Sequence, residues 1–110
     1  MALLLELKNG MGLVTLSGSL DAAAVASFSQ QTTAWLESQP EVTRLVVDLG
    51  EVAFVDSAGL GALVGLLRRL TARGGDVRLA RPRPSVKLVL EITRANKIFA
   101  IFASLTEALG

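Results

Sequence analysis

Hydrophobic positions change period several times along the chain, and each change predicts an element. Leu3 to Lys8 is a short apolar-rich run, and Asn9-Gly10 after it is a strong hairpin signal, since both residues of such a turn need positive φ. Leu13 to Ser17 then reads as a strand antiparallel to the first, ended by Gly18. Asp21 stands where a helix N-cap is expected, and Val25, Phe28, Thr32, Trp35 and Leu36 recur at helical spacing until Pro40. The pattern predicts an amphipathic helix of about 17 residues.

Arg44 to Leu49 is dense in aliphatic residues, as an interior parallel strand is. Gly50 to Asp56 reads as a crossover with Phe54 and Val55 buried, and a second helix is expected from Ser57 to about Arg73, ended by Gly74-Gly75. Asp76 to Ala80 predicts another strand. Pro84 suits the first turn of a third helix through Val86, Leu88, Val89, Leu90 and Ile92. Ile98 to Phe102 predicts a last short strand, and Ser104-Leu-Thr-Glu107 has the capping-box form of a final short helix. The order β-β-α-β-α-β-α-β-α implies an α/β fold: a single, mostly parallel sheet with an antiparallel N-terminal edge strand. Residues 1–110 read as one domain, without repeats or linkers.

Composition narrows the chemistry. With 51% of its 110 residues hydrophobic, the chain is too apolar for intrinsic disorder. It has no Cys and no His, which excludes disulfides, thiolate and imidazole metal sites, and thiol or Ser-His catalysis. No cofactor is expected, and an enzyme is the weaker reading, although a hydrolase built from carboxylates or Lys stays chemically possible. The longest apolar run, Ala58 to Leu67, is cut by Arg68 and Arg69 before it could span a bilayer, and the opening Met-Ala-Leu-Leu-Leu-Glu, with no basic region and a short apolar stretch, does not read as a signal peptide. A cytoplasmic protein is expected. The overall charge of +1 hides an asymmetry: residues 1–60 hold two basic and seven acidic side chains, and residues 61–110 hold nine and three. Such a distribution can steer a partner or be ordinary solvated charge.

The most specific segment is Phe54-Val-Asp-Ser-Ala-Gly-Leu-Gly61. Ser57 is placed to cap the second helix, Asp56 precedes it, and Gly59 and Gly61 leave the first turn nearly bare. Enzymatic readings fail on spacing: the segment lacks the first glycine of a nucleophile elbow, and Gly59, Gly61 and Gly65 do not fit a dinucleotide fingerprint. On a helical wheel Leu60, Leu63, Val64, Leu67 and Leu70 form the stripe expected to face the sheet. Gly61, Ala62, Gly65, Arg68, Arg69 and Ala72 lie opposite, a face suited either to another helix of the chain or to a docked protein.

Gly18-Ser-Leu-Asp21, Leu45-Val-Val-Asp-Leu-Gly50 and Phe54-Val-Asp-Ser-Ala-Gly-Leu-Gly-Ala-Leu63 together resemble the STAS domain, the fold of bacterial anti-sigma factor antagonists. The resemblance continues through Gly74-Gly-Asp-Val-Arg-Leu79, Val89-Leu-Glu-Ile-Thr93 and Phe99 to Ser104-Leu-Thr-Glu-Ala-Leu109. It implies a partner switch without catalysis. Ser57 would be phosphorylated by an anti-sigma factor that is also a serine kinase of the GHKL type. The unphosphorylated protein would bind that kinase, and a serine phosphatase would reset it. The implied partner-binding residues are Asp21, Asp56, Ser57, Ala58, Gly59, Gly61, Ala62, Gly65 and Arg68. Relatives that serve as STAS subunits of membrane transporter ATPase complexes, or as stressosome-like scaffold proteins, share the same turn and are the alternative. The chain departs from the family pattern at Ser19, where Glu is usual, at Arg83, where a Ser cap is usual, and at Arg94, where a Gly often ends the third helix.

Overall fold

Leu45, Val46 and Val47 are all fully buried, which demands cover on both faces of their strand. The computed structural model, which describes residues 1–110, shows how that cover is built. Five strands lie in the order β1 (Ala2–Lys8), β2 (Met11–Leu20), β3 (Arg44–Val55), β4 (Asp76–Ala80) and β5 (Ala100–Phe102). β1 is antiparallel to β2, and every other pair is parallel. The helices are α1 (Val25–Ser38), α2 (Ser57–Ala72), α3 (Pro84–Ile92) and α4 (Leu105–Ala108), with a 3₁₀ turn at Ala95–Lys97. This is the predicted α/β architecture.

Strands added in one direction by crossovers of one hand send their helices to one face. Accordingly Phe28 and Leu36 of α1, Leu63, Leu66 and Leu70 of α2, and Val86 and Leu90 of α3 share a core with Val14, Leu16, Leu45, Val47, Leu49, Val77 and Leu79. The opposite face is smaller: Ala108 and Leu109 cover Met11, Leu13, Val46 and Ala80. The Asn9-Gly10 turn has φ of 52° and 77° and joins Lys8 directly opposite Met11. Ser104 caps α4, accepting from the Glu107 amide at 3.1 Å.

Several expectations need correction. Gly18 does not end its strand. At φ +89° it bends β2, which carries on to Leu20 because β3 is also longer than predicted and pairs with it from Ser17↔Glu51 to Leu20↔Val55. Gly50 to Val55 is therefore strand and not crossover. Val55 is buried, but Phe54 is 51% exposed, because neighbouring strand residues face opposite ways. α1 starts three residues later than Asp21 would place it and has 14 residues. Asp21 instead organises the preceding turn, its carboxylate accepting from the Ala24 amide at 3.1 Å and its carbonyl accepting from Ala24 and Val25. β5 is only Ala100–Phe102, since Ala95–Lys97 turns first and leaves Ile98 exposed. Arg94 holds φ +62°, the left-handed conformation that explains why glycine suits this position.

The Arg81-Pro-Arg-Pro84 loop folds back on the sheet. Arg81 grips the buried Asp48 with two bonds, of 2.8 and 3.1 Å, over a Gly50 that leaves room for the guanidinium. Arg83 donates to the Gly50 carbonyl, and its side chain does not cap α3.

Candidate functional site

β3 delivers the chain to the C-terminal edge of the sheet, where sites collect in open α/β folds, and α2 starts there. The N-cap of α2 is Asp56, not Ser57. Its Oδ1 accepts from the Gly59 amide at 2.8 Å, and its Oδ2 accepts from the Ala22 amide at 3.0 Å. One carboxylate thus caps α2 and also reaches the turn ahead of α1. The Gly59 amide is the main cause that holds the Asp56 carboxyl below its usual range. Desolvation opposes the shift, and amides of Ala22, Ala58 and Asp56 itself add to it.

Because Asp56 does the capping, Ser57 is the first helical residue. It is exposed, and its hydroxyl makes no hydrogen bond within the chain. Gly59 is buried: a Cβ there would lie 2.0 Å from the Leu20 carbonyl oxygen, so glycine lets α2 start against the end of β2. It therefore supports the surface from beneath instead of standing in it. Gly61 and Gly65 have nothing within 4 Å of where a Cβ would be. Gly61 and Arg68 are exposed, and Asp21, Asp56, Ala58, Ala62 and Gly65 are half-buried. Gly61, Arg68, Arg69 and Ala72 are all exposed, with Arg69 and Ala72 bordering a groove beside Thr33, Leu36 and Glu37 of α1.

The stripe that enters the core is Gly59, Leu63, Leu66 and Leu70. Leu60, Val64 and Leu67, expected in that stripe, are only half-buried, and Leu66 was not expected there. Leu60 and Val64 line a groove of about 660 Å³ between α2 and α3, opposite Val89 and Ile92, with Phe54 at its wall. Asp56 and Ser57 lie at one end and Arg68 at the other, about three helical turns on. Two of the large exposed hydrophobic residues, Phe54 and Ile92 (72% exposed), converge here. The sequence reading missed this groove. Its one legible signal was the Leu60/Val64 pair, four residues apart and rotated from Leu63 and Leu70.

No cluster of three or more Asp, Glu, His or Cys side chains forms a metal cage, and no helix is long and apolar enough to cross a membrane.

Known proteins resemble this chain in sequence and in fold. A Paenibacillus polymyxa protein named anti-sigma F factor antagonist is 27% identical over 105 residues, 96% of this chain and 89% of its own length. Relatives from Thermotoga neapolitana and Thermotoga maritima are 33% and 30% identical over 66 residues, and those matches span 60% of this chain and only 58% of theirs. SpoIIAA, an anti-sigma factor antagonist solved in its unphosphorylated form, superposes with a TM-score of 0.82 at 28% identity, covering 98% of this chain and 93% of that one. Bacillus SpoIIAA in its phosphorylated form gives 0.74 at 27% identity, covering 98% and 96%. The STAS domain family model matches residues 2–108, which include all five strands, all four helices and the Asp56-Ser57 turn, and the chain belongs to that family.

Proposed function

We propose that the chain is an anti-sigma factor antagonist that works as a partner switch through Ser57. In this reading it is a binding protein and a kinase substrate, not an enzyme. The observation that carries the reading is the state of Ser57: an exposed, unbonded hydroxyl at the first position of α2, relieved of capping by Asp56. A kinase could take such a hydroxyl without unfolding anything. SpoIIAA, related over nearly the whole chain, exists in unphosphorylated and phosphorylated forms, and this supports the same chemistry here.

Unphosphorylated, the surface of Asp21, Asp56, Ser57, Ala58, Gly61, Ala62, Gly65 and Arg68 binds an anti-sigma factor that is a GHKL-type serine kinase. The small residues allow close approach of the partner's backbone, and the neighbouring groove takes apolar side chains. Phosphorylation adds about −1.5 to −2 charges to that surface. The chain itself tolerates the anion at a helix N-terminus. A partner carboxylate about 6 Å away would be repelled by roughly 3 kcal/mol per unit-charge pair at an effective dielectric near 20. That is about 100-fold in affinity. A serine phosphatase restores binding.

Incubation with the cognate kinase and ATP, followed by peptide mass analysis, is expected to place a single phosphate on Ser57. Ser57→Ala should keep kinase binding and lose the modification, and Ser57→Asp should weaken binding with an unchanged circular dichroism spectrum. Modification at another residue, or equal affinity of Ser57→Asp and the parent in calorimetry, would refute the proposal. Co-purification with a transporter ATPase or a stressosome-like scaffold in place of a kinase would move the chain to those branches of the family.

A further inference from the structure

The surface around Ser57 comes from two separate stretches of chain, the Asp21–Ala24 turn and the start of α2, 34 residues apart at their point of contact. The strands beneath are joined as far as Leu20, whose carbonyl accepts from the Asp56 amide at 3.3 Å. Beyond Leu20 the turn is held by its own bonds to Asp21, and the one hydrogen bond from it to α2 runs from the Ala22 amide to Asp56 Oδ2. That amide is an opening donor of a helical turn and has no acceptor within the turn.

We infer that Asp56 is the positioning residue of the switch: with one oxygen on Gly59 and the other on Ala22, its carboxylate locks the turn of Asp21 and the turn of Ser57 into a single docking surface. The inference rests on the partner-switch reading and adds to it the device that makes the surface rigid before the kinase arrives. A surface held in its bound shape loses less freedom on docking. The charge that would contact a partner is secondary in this account. What matters is that a carboxylate offers two acceptors, one for each turn.

That geometry separates the cap from the tie. Asn caps helices about as well as Asp but has a single acceptor oxygen, so Asp56→Asn keeps the Gly59 bond and drops Ala22. Ala22→Pro removes the donor and leaves Asp56 intact. Ala22 is the second residue of a turn closed by the bond from the Ala24 amide to the Asp21 carbonyl, a position where proline is favoured. Each variant breaks the same bond from opposite ends.

The test is the steady-state kinetics of Ser57 phosphorylation by the cognate kinase for the parent, both single variants and the double variant. Each single variant is expected to raise KM about tenfold at unchanged kcat, as loss of one charge-assisted bond on the docking surface would. The double variant should be no worse than either alone, because the bond can be lost only once. An unimpaired Ala22→Pro beside an impaired Asp56→Asn would overturn the inference, and so would additive effects, since either means that the bond between Ala22 and Asp56 does not carry the effect. Amide exchange at Ala22 and Ala24 judges the tie without any partner: faster exchange in Asp56→Asn, with α2 protection retained, upholds it, and unchanged exchange overturns it. A parent protein that no kinase modifies would sink the partner switch and leave that exchange result standing.

Discussion

Gly59 and Gly61 are two residues apart and answer opposite demands. Gly59 is packed against the Leu20 carbonyl, and Gly61 faces open space. Gly59→Ala would put a methyl group into backbone that cannot yield, and we expect it to lower stability by about 3 kcal/mol in urea unfolding, at the upper end of what overpacking costs. Gly61→Ala fills nothing and removes a helix-interior glycine, so it should raise stability by up to about 1 kcal/mol while reducing kinase affinity in calorimetry. Such a split between stability and binding would mark Gly61 as a surface residue kept bare for a partner. From sequence alone the two glycines look equivalent, because a spacing carries no information about which backbone stands opposite. Asp56 and Ser57 show the same limit. Both are good caps, and only the backbone at Asp56, extended just before the helix, decides that the aspartate caps and the serine is left free.

At the scale of elements, α1 and α2 are joined at the end away from Ser57 by one side chain. The Arg73 guanidinium donates to the carbonyls of Leu36 at 2.7 Å and of Gln39 and Val42 at 2.9 Å, adding a charged donor to Leu36 and Gln39 carbonyls that already accept the Gln39 and Val42 amides. Arg73→Ala is expected to cost about 2 kcal/mol in thermal or urea unfolding, the value of bonds from a charged donor. Arg73→Lys should recover less than half, since one ammonium cannot span three carbonyls as a planar fork does. Neither should change kinase binding, because α2 separates this end from Ser57 by about 24 Å. The sequence reading took Arg73 only as the last residue of a helix. It also phased α2 wrongly: apolar and small residues cover more than half of that helix, so periodicity announces a helix without saying which side is inward. The close contact at Gly59 sets the rotation, puts Leu66 into the core, and turns Leu60 and Val64 toward the groove.

At the scale of the whole molecule, the charged groups that shift do so far from neutrality. Asp56 titrates below its ordinary value of 3.8, so its contribution to stability is present above that value and is lost as pH falls through the lowered one. Arg81 is shifted upward, chiefly by its bond to Asp48, so what it contributes is complete at all lower pH and is lost only in strong alkali. With no histidine in the chain, unfolding midpoints should be flat through neutrality and fall in acid below about pH 4. Asp56→Asn should soften that acid fall, and a midpoint that moved between pH 6 and 8 would contradict this account.

The local pattern by itself determined what depends on neighbours along the chain: the Asn9-Gly10 hairpin, the aliphatic strand Arg44–Leu49, the Asp76–Ala80 strand, the Ser104 cap, and the presence of a distinctive turn at Asp56-Ser57. These follow from dihedral preference and side-chain period, which operate within a few residues. The tertiary structure alone decided what depends on residues far apart. It extended β2 and β3 past their glycines by pairing them, exposed Phe54, and opened the groove between α2 and α3. It also brought the Ala22 amide within bonding distance of Asp56. Each of these depends on a stretch of chain far away in sequence, and sequence period carries no record of such distances.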